Sequence, residues 1–459
     1  MIRLFRVYIP TSVLLLLVSE ILFTFAIFAG AIAWQFEVIY LQLDDGWLQA
    51  AVATTTIIVG LYLSDCYERV RMPSQILLLQ QFCLIIGVAF LVQAVVSYAQ
   101  LPIRMPRQAM LLGSLLCLIV LPLWRQFYGR LSLQVLGAER VLFAGTHPLQ
   151  FKLAEYLDDR PEYAMRPCGF AVESESVASR CGSYKVLGTI ANLDEILRSQ
   201  AVDRIIVGIA DQADPQVMAK MYELVTSGRH VDTVERVYEV LLGRVPLQRV
   251  RADQIFPLDQ AGANFAMTAQ NVYAWLVALI GVVLLAPVLL MVAIAVRLTS
   301  PGPVLFRQVR AGRNNVPFLL YKFRSMYVDA EKHTGAVWAQ ANDPRVTPIG
   351  KYLRQYRLDE LPQLFNVLRG EMSIVGPRPE RPEFIKMLSE QVPFFMQRLS
   401  VKPGITGWAQ INYRYGNTIE DTAIKLEFDL FYIKNLSPQL DLLIMFHTIK
   451  TMLLTRGAY

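Results

Sequence analysis

The sequence predicts a membrane α/β protein in three parts: four N-terminal transmembrane helices, a doubly wound α/β module, and an α+β domain entered through a proline-broken re-entrant membrane helix. Three observations carry this reading. Four apolar segments, at about 8–33, 46–64, 76–99 and 108–124, fill the first 130 residues, each near the ~20 residues a helix needs to cross a hydrocarbon core. From about residue 139 short β-branched runs alternate with helix-like stretches, the pattern of a parallel sheet with crossover helices. A fifth apolar run, Val272 to Val296, holds 25 uncharged residues with Pro287 inside. The boundaries that follow are 1–135, 136–255 and 265–459, with the re-entrant helix at 272–298.

Composition agrees. Of 459 residues 54% are hydrophobic and only 18% charged, which points to lipid contact. The net charge of +6 suits anionic partners such as a phospholipid surface or a nucleotide diphosphate. No long Lys/Arg tract is present, so nucleic acid is not expected. The five cysteines form no CxxC and no close pair, which argues against a disulfide framework. The histidines His147, His230, His333 and His447 stand alone, without the ligand spacing of a zinc site.

The first apolar run is too long for a signal peptide and lacks a small-residue cleavage site. Arg3 and Arg6 precede it, Glu37, Asp44 and Asp45 follow it, Arg69 and Arg71 lie after the second run, and Arg125, Arg130 and Arg140 after the fourth. This is a positive-inside pattern with both ends of the bundle cytoplasmic; Arg104 and Arg107 run against it. Glu20 is the lone charge in the spans, which disfavours a transport pathway.

In the second part, residues 140–146 read as a buried strand ending in a Gly turn, and 201–209 as another, with helix-like stretches at 149–157 and 193–199. The module is Rossmann-like, but only Gly145 stands where G-x-G-x-x-G requires three glycines. Assembly or regulation is one reading of the module and nucleotide binding the other.

The fifth apolar run has Arg244, Arg249 and Arg251 upstream and Arg297, Arg307 and Arg310 downstream. A full crossing would put one basic cluster outside. Proline removes a helical hydrogen bond and bends the helix, so a segment that enters, breaks near Ala286-Pro287 and returns satisfies both observations; a kinked full span is the alternative.

Next come strand-like pieces at 304–309 and 317–326, joined by a loop of hairpin composition at 311–315. Lys322 and Arg324, two apart, would share one face of an extended chain and could hold a pyrophosphate; a solvated face or a headgroup contact are the alternatives. Leu361, Leu364, Phe365 and Leu368 follow the spacing of the core stripe of an amphipathic helix, with Pro362 in the opening turn. Asp359 and Glu360 therefore sit at a helix start, where a carboxylate stays ionised, as phosphoryl chemistry with an aspartyl nucleophile requires; by themselves they read more readily as cap and dipole partners. Arg378 lies between two prolines in the Gly376–Glu380 stretch, whose rings restrict the backbone and could fix the guanidinium against a phosphate.

Four blocks, at 321–326, 357–370, 372–379 and 401–412, resemble in order the monotopic polyprenyl-phosphate phosphoglycosyl transferases. The architecture is similar to the large members of that family, and the N-terminal opening to the subgroup associated with exosortase systems and exopolysaccharide export. The resemblance implies transfer of a sugar 1-phosphate from a UDP-sugar to undecaprenyl phosphate with release of UMP, at the cytoplasmic face of the bacterial inner membrane. It implies Asp359 as nucleophile, Glu360 assisting, Mg²⁺ held by Asp359 and the substrate phosphates, and Lys322, Arg354 and Arg378 on phosphate. The family's helix break is commonly Ser-Pro, and here it is Ala286-Pro287. Transfer through a direct ternary complex and a non-catalytic membrane scaffold are the competing readings, and the large N-terminal part makes a homodimer plausible.

Overall fold

The computed structural model describes residues 1–36, 41, 45–68, 75–98, 105–135, 137–173, 184–208, 215–226, 228–249, 260–328, 330, 343–413 and 418–454. Glu37, Asp44, Arg69, Arg71, Arg104, Arg251 and His333 lie outside them. The chain divides into two compact units, 1–3 with 8–237 and 4–7 with 238–459.

The first unit begins with α1 (Thr11–Phe36), α2 (Gly46–Leu63), α3 (Gln75–Tyr98) and α4 (Arg107–Val135). All are long and apolar enough to cross a membrane. α1 packs on α2 and α4, and α3 on the same two, closing a four-membered ring. Phe28, Ile57, Phe82 and Leu121 fill its centre, while Leu22, Leu84, Val95 and Leu115 point outward, as an apolar solvent on the outside allows. A Cβ on Gly113 would meet the Phe28 ring at 2.4 Å, so a bare backbone is what lets α4 approach α1.

Glu20, the acidic residue inside α1, is paired with Arg125 of α4. Arg125 Nε and Nη2 donate to the Glu20 carboxylate at 2.5 and 3.0 Å, Tyr67 Oη donates to it at 2.7 Å, and Arg125 Nη1 donates to the Cys66 carbonyl at 2.8 Å. Both charged side chains are almost wholly buried. Every polar atom in this cluster has a partner, which is the condition under which a buried ion pair is tolerated.

The α/β module follows with β1 (Glu139–Ala144), β2 (Met165–Val172), β3 (Val186–Thr189), β4 (Arg204–Val207) and β5 (His230–Thr233). They form one parallel sheet in the order β3-β2-β1-β4-β5. Val141 to Ala144 of the central strand are fully buried, and Phe143, Phe151 and Phe170 stack at 5.0 Å centroid spacing. The two strands expected from sequence, 140–146 and 201–209, are β1 and β4: β1 begins one residue earlier and ends at Ala144, and β4 covers Arg204–Val207, residue 209 lying outside the described residues.

α5 (Pro148–Asp158) starts after β1, capped by His147 Nδ1, which accepts from the Leu149 N–H at 3.2 Å. Gln150 stands where a dinucleotide fingerprint has its third glycine. Its buried amide donates to the Ala144 and Ile206 carbonyls at 2.9 and 3.0 Å, and so ties the ends of β1 and β4 together.

The second unit is built on α6 (Gln260–Thr299), a 40-residue helix. The expected break at Ala286-Pro287 is not seen as two helices; helical structure runs through Pro287. A proline deletes one N–H donor and leaves the other helical bonds in place, so a bend need not end the helix. Ala274 and Ala278 pack with Phe318 and Met372, while Val292 and Val296 pack with Phe323 and Leu353. Both halves therefore lie on the same α/β body, and Val283, Leu284, Leu290 and Met291 stay exposed.

That body contains an antiparallel hairpin, β6 (Leu305–Ala311) with β7 (Pro317–Phe323). Its turn uses Asn314 and Asn315 at φ 56° and 62°, the residue type that tolerates left-handed backbone best after glycine. Then come α7 (Pro348–Gln355), α8 (Gln363–Leu368), β8 (Ser373–Val375), α9 (Pro382–Gln391), β9 (Gly404–Thr406), α10 (Ile419–Lys434) and α11 (Pro438–Leu453). β8 and β9 pair in parallel. α11 buries Leu440 and Ile444 in the core and exposes Leu442, Phe446 and Ile449.

The Glu20–Arg125 pair yields a stability prediction. Glu20→Ala strands a buried guanidinium and should destabilise the protein by about 3 kcal/mol or more, measured by thermal unfolding of the detergent-solubilised chain; an unchanged melting temperature would contradict the pairing.

Candidate active site

Asp359 and Glu360 lie in a single 3₁₀ turn, Leu358–Glu360, between α7 and α8. α7 is capped by Thr347, whose Oγ1 accepts from the Gly350 N–H at 3.0 Å. The chain leaves α7 through Arg357 in left-handed backbone, φ 53°, a conformation that costs roughly 1 kcal/mol or more. That reversal keeps the Arg357 guanidinium 3.6 Å from Glu360 Oε2.

Three cations converge on Glu360. Lys322 Nζ from β7 donates to its Oε1 at 2.9 Å and Arg378 Nη2 donates to the same oxygen at 2.8 Å, with Arg357 on the other oxygen. Burial alone would raise the Glu360 carboxyl, but Arg378, Lys322 and Arg357 together hold it well below the usual carboxylate range. Asp359 is equally buried, yet among the described residues no hydrogen bond or ion pair reaches its carboxylate. Burial pushes Asp359 up; Lys322 opposes the rise and the Glu360 charge adds to it. Asp359 stands at the helix start as expected, but the hydrogen-bonded cations are committed to Glu360, and its neighbour carries the raised pKa.

Arg378 reaches Glu360 from a loop whose carbonyls are held one after another. The Pro377 oxygen accepts from Gly404 N at 3.0 Å, the Arg378 oxygen from Arg398 Nη2 at 3.1 Å, the Pro379 oxygen from Arg310 Nη1 at 3.0 Å, and the Glu380 oxygen from Ala311 N at 3.0 Å. The two prolines contribute no N–H, so these acceptors fix the loop from one side. A Cβ on Gly376 would fall 2.4 Å from the Lys402 carbonyl, which leaves glycine as the residue that fits where the loop leaves β8. Arg398 is in turn 3.0 Å from the buried Asp429, whose carboxyl is pushed up to about 6 by burial against the pull of Arg398.

The structure brings Lys322, Arg378, Asp359 and Glu360 together, with Arg354 close enough to act on Asp359 electrostatically while its Nε donates to Ser325 Oγ at 3.0 Å. Arg324 does not join them. β7 ends at Phe323, so the alternation that would align Arg324 with Lys322 stops one residue short. Its guanidinium is buried at the C-terminus of α6, donating to the Ser300 and Pro301 carbonyls at 2.7 and 2.6 Å, where a cation balances the helix end. Pro287 lies within α6 and outside this cluster. Phe365, expected on the core face of α8, is exposed, because Asn366 turns inward to accept from Tyr321 N and donate to the Leu319 carbonyl.

Arg357, Arg398, Arg310 and Asp429 went unseen as contributors in sequence. Arg357 adjoins the Asp-Glu pair, but its role depends on a left-handed φ that spacing does not reveal. The other three act across 20 to 69 residues of chain.

A magnesium ion is commonly held by one or two carboxylates plus substrate phosphates. Asp359, unengaged by any cation at bonding distance, fits that donor pattern, whereas Glu360 is already neutralised; no group of three or more His, Cys, Asp or Glu that could cage a metal occurs among the described residues.

Residues 265–455 match the family described as bacterial sugar transferase. The chain is 35% identical over 326 residues to UDP-glucose:undecaprenyl-phosphate glucose-1-phosphate transferase of Klebsiella pneumoniae, covering 70% of this chain and 69% of that one. It is 33% identical over 355 residues to the protein of the same name from Xanthomonas campestris pv. campestris, covering 76% and 73%. UDP-N-acetylgalactosamine-undecaprenyl-phosphate N-acetylgalactosaminephosphotransferase of Aeromonas hydrophila is 44% identical over 226 residues; this match spans 49% of the chain and about half, 52%, of the relative.

The division of labour between the two carboxylates is measurable without turnover. Glu360→Gln removes the neighbouring anion and leaves Lys322 and Arg378 facing Asp359, so the Asp359 pKa should fall from above the ordinary ~3.9 toward or below it. A ¹³C-carboxyl titration of both proteins checks this; an unmoved Asp359 resonance would contradict it.

Proposed function

The chain belongs to the bacterial sugar transferase family, and from that premise we propose that it transfers a sugar 1-phosphate from a UDP-sugar to undecaprenyl phosphate, releasing UMP. The reaction would start glycan assembly at the cytoplasmic face of the bacterial inner membrane. The packing of both halves of α6 on one α/β body supports a helix that stays with the cytoplasmic leaflet, because residues 300–454 then remain on the side where nucleotide sugars are found.

The observation that carries the mechanism is the unequal state of the carboxylate pair. Asp359, with no cation at bonding distance, attacks the β-phosphorus of the UDP-sugar. The bond from that phosphorus to the oxygen bridging the two phosphates breaks, and UMP leaves with the oxygen and its electron pair. An oxygen of undecaprenyl phosphate then attacks the phosphosugar–aspartyl phosphorus, the Asp359–phosphorus bond breaks, and polyprenyl diphosphosugar is released. Lys322, Arg354 and Arg378 stabilise charge on the transferring phosphate. Glu360 keeps two of those cations in place until the phosphates arrive. Mg²⁺, held by Asp359 and the diphosphate, would neutralise charge on the leaving group.

Incubating the purified full chain with undecaprenyl phosphate and a panel including UDP-glucose and UDP-N-acetylgalactosamine should release UMP with at least one donor. Asp359→Asn should lower the rate at least ~10³-fold; release from no donor, or an active Asp359→Asn protein, would sink the proposal.

Arg398 is read as a positioning residue, acting through the Arg378 carbonyl. Arg378→Ala should cost roughly 10²-fold in kcat, Arg398→Ala less, and the double variant little more than Arg378→Ala alone. Additive losses would assign Arg398 a general structural role instead.

A further inference from the structure

A groove of about 520 Å³ opens at the start of the apolar part of α6, away from the carboxylate pair. Asn271, Val272, Trp275 and Leu276 form one wall, Met372 lies on the other, and Lys402 stands at the edge. Within these few residues α6 passes from polar to uncharged apolar sequence. Val272, Trp275 and Leu276 are each about half exposed, at 59, 45 and 46%. A tryptophan at such a transition is the usual marker of the headgroup level of a bilayer, so the groove runs from that level into the acyl region.

Lys402 supplies the polar end. Among the described residues no carboxylate lies within ion-pairing distance of its ammonium. Burial and the neighbouring Arg313 both push its pKa down, the condition of a cation that lacks a counter-charge. Arg313 itself donates from Nε to the Ser400 carbonyl at 3.1 Å, which holds it beside Lys402. Gly370 leaves the approach open: even a Cβ there would come only to 3.8 Å of Lys402 Nζ.

The groove lies at the C-terminal end of α8, and the Leu358–Glu360 turn at the other end. The six residues of α8 put about 9 Å of helix between them. A lipid acceptor must bring its phosphate to the reacting atoms, and a phosphate on Lys402 is on the wrong side of α8 for that.

We propose that this groove binds one anionic phospholipid, its phosphodiester on Lys402 and Arg313 and one acyl chain along Val272, Trp275 and Leu276. The site seats the second unit on the membrane at a fixed depth. It does not depend on the transfer reaction, because the occupant is a component of the bilayer.

Native mass spectrometry of the full chain, released from micelles doped with equal phosphatidylglycerol and phosphatidylcholine, tests the site. The wild-type chain should retain phosphatidylglycerol about fivefold over phosphatidylcholine, the order expected for one basic residue at a membrane surface. Lys402→Ala should lose that preference, Lys402→Arg should keep it, and Lys386→Ala, at an exposed position elsewhere, should leave it unchanged. Retention of the Arg variant separates loss of charge from loss of fold. Equal retention of both lipids by the wild type, an undiminished preference in Lys402→Ala, or a loss of preference in Lys386→Ala would each overturn the site. Displacement of phosphatidylglycerol by an equal concentration of undecaprenyl phosphate would also overturn it, marking the groove as an acceptor subsite instead.

Discussion

Glu360 is a buried carboxylate held by Lys322, Arg357 and Arg378, and the geometry of the catalytic end depends on that convergence. Each cation comes from a different piece of chain: a hairpin strand, a left-handed reversal after α7, and the loop after β8. Removing Glu360 from water is costly by itself, and the three positive charges are what make an ionised carboxylate stable there. The same arrangement leaves Asp359, one residue away, with the raised pKa and, among the described residues, no cation at bonding distance. Two adjacent acids in one turn thus acquire opposite electrostatic states from their surroundings, the condition under which neighbouring carboxylates take separate roles.

The surrounding fold reads as support for that convergence. Arg378 is aimed by a loop whose successive carbonyls are held by Gly404, Arg398, Arg310 and Ala311, so little conformational freedom is left to lose when a phosphate binds. Behind the loop, Gln270 Nε2 of α6 and Tyr432 Oη of α10 donate to the Asp441 carboxylate of α11 at 2.7 and 2.8 Å, and Gln270 Nε2 also donates to the Val375 carbonyl at 3.3 Å. Asp441 also accepts from Tyr273. The membrane helix and the two C-terminal helices are therefore joined by one buried polar network at the strand that leads into the Arg378 loop. Such networks specify a single arrangement when every member is satisfied.

Much of this was legible in the sequence where a signal was local. The apolar runs, the strand–helix alternation, the hairpin with its Asn-rich turn and the juxtaposition of Lys322, Arg378 and the Asp-Glu pair were all expected, the last of these with help from family resemblance. The misreadings share one cause. Arg324 was aligned with Lys322 by strand alternation, but β7 stops at Phe323 and the residue caps α6 instead. Phe365 was placed in the core by helical spacing, but Asn366 sets the rotation of the short α8 through bonds to β7. In each case a long-range contact outweighed a local rule, and Arg398, Arg310 and Asp429 show the same thing from the other side.

The central claim is that Asp359 carries the phosphosugar between donor and acceptor. It is tested most directly by mixing the purified chain with a UDP-sugar labelled at the β-phosphorus, without lipid acceptor, and quenching within one turnover. The account predicts label on the protein in stoichiometric proportion to UMP released, mapped to the peptide containing Asp359, absent from Asp359→Asn, and discharged on adding undecaprenyl phosphate. UMP formed only when the lipid acceptor is present, with no labelled protein at any time, would contradict it and assign the carboxylates to a direct transfer.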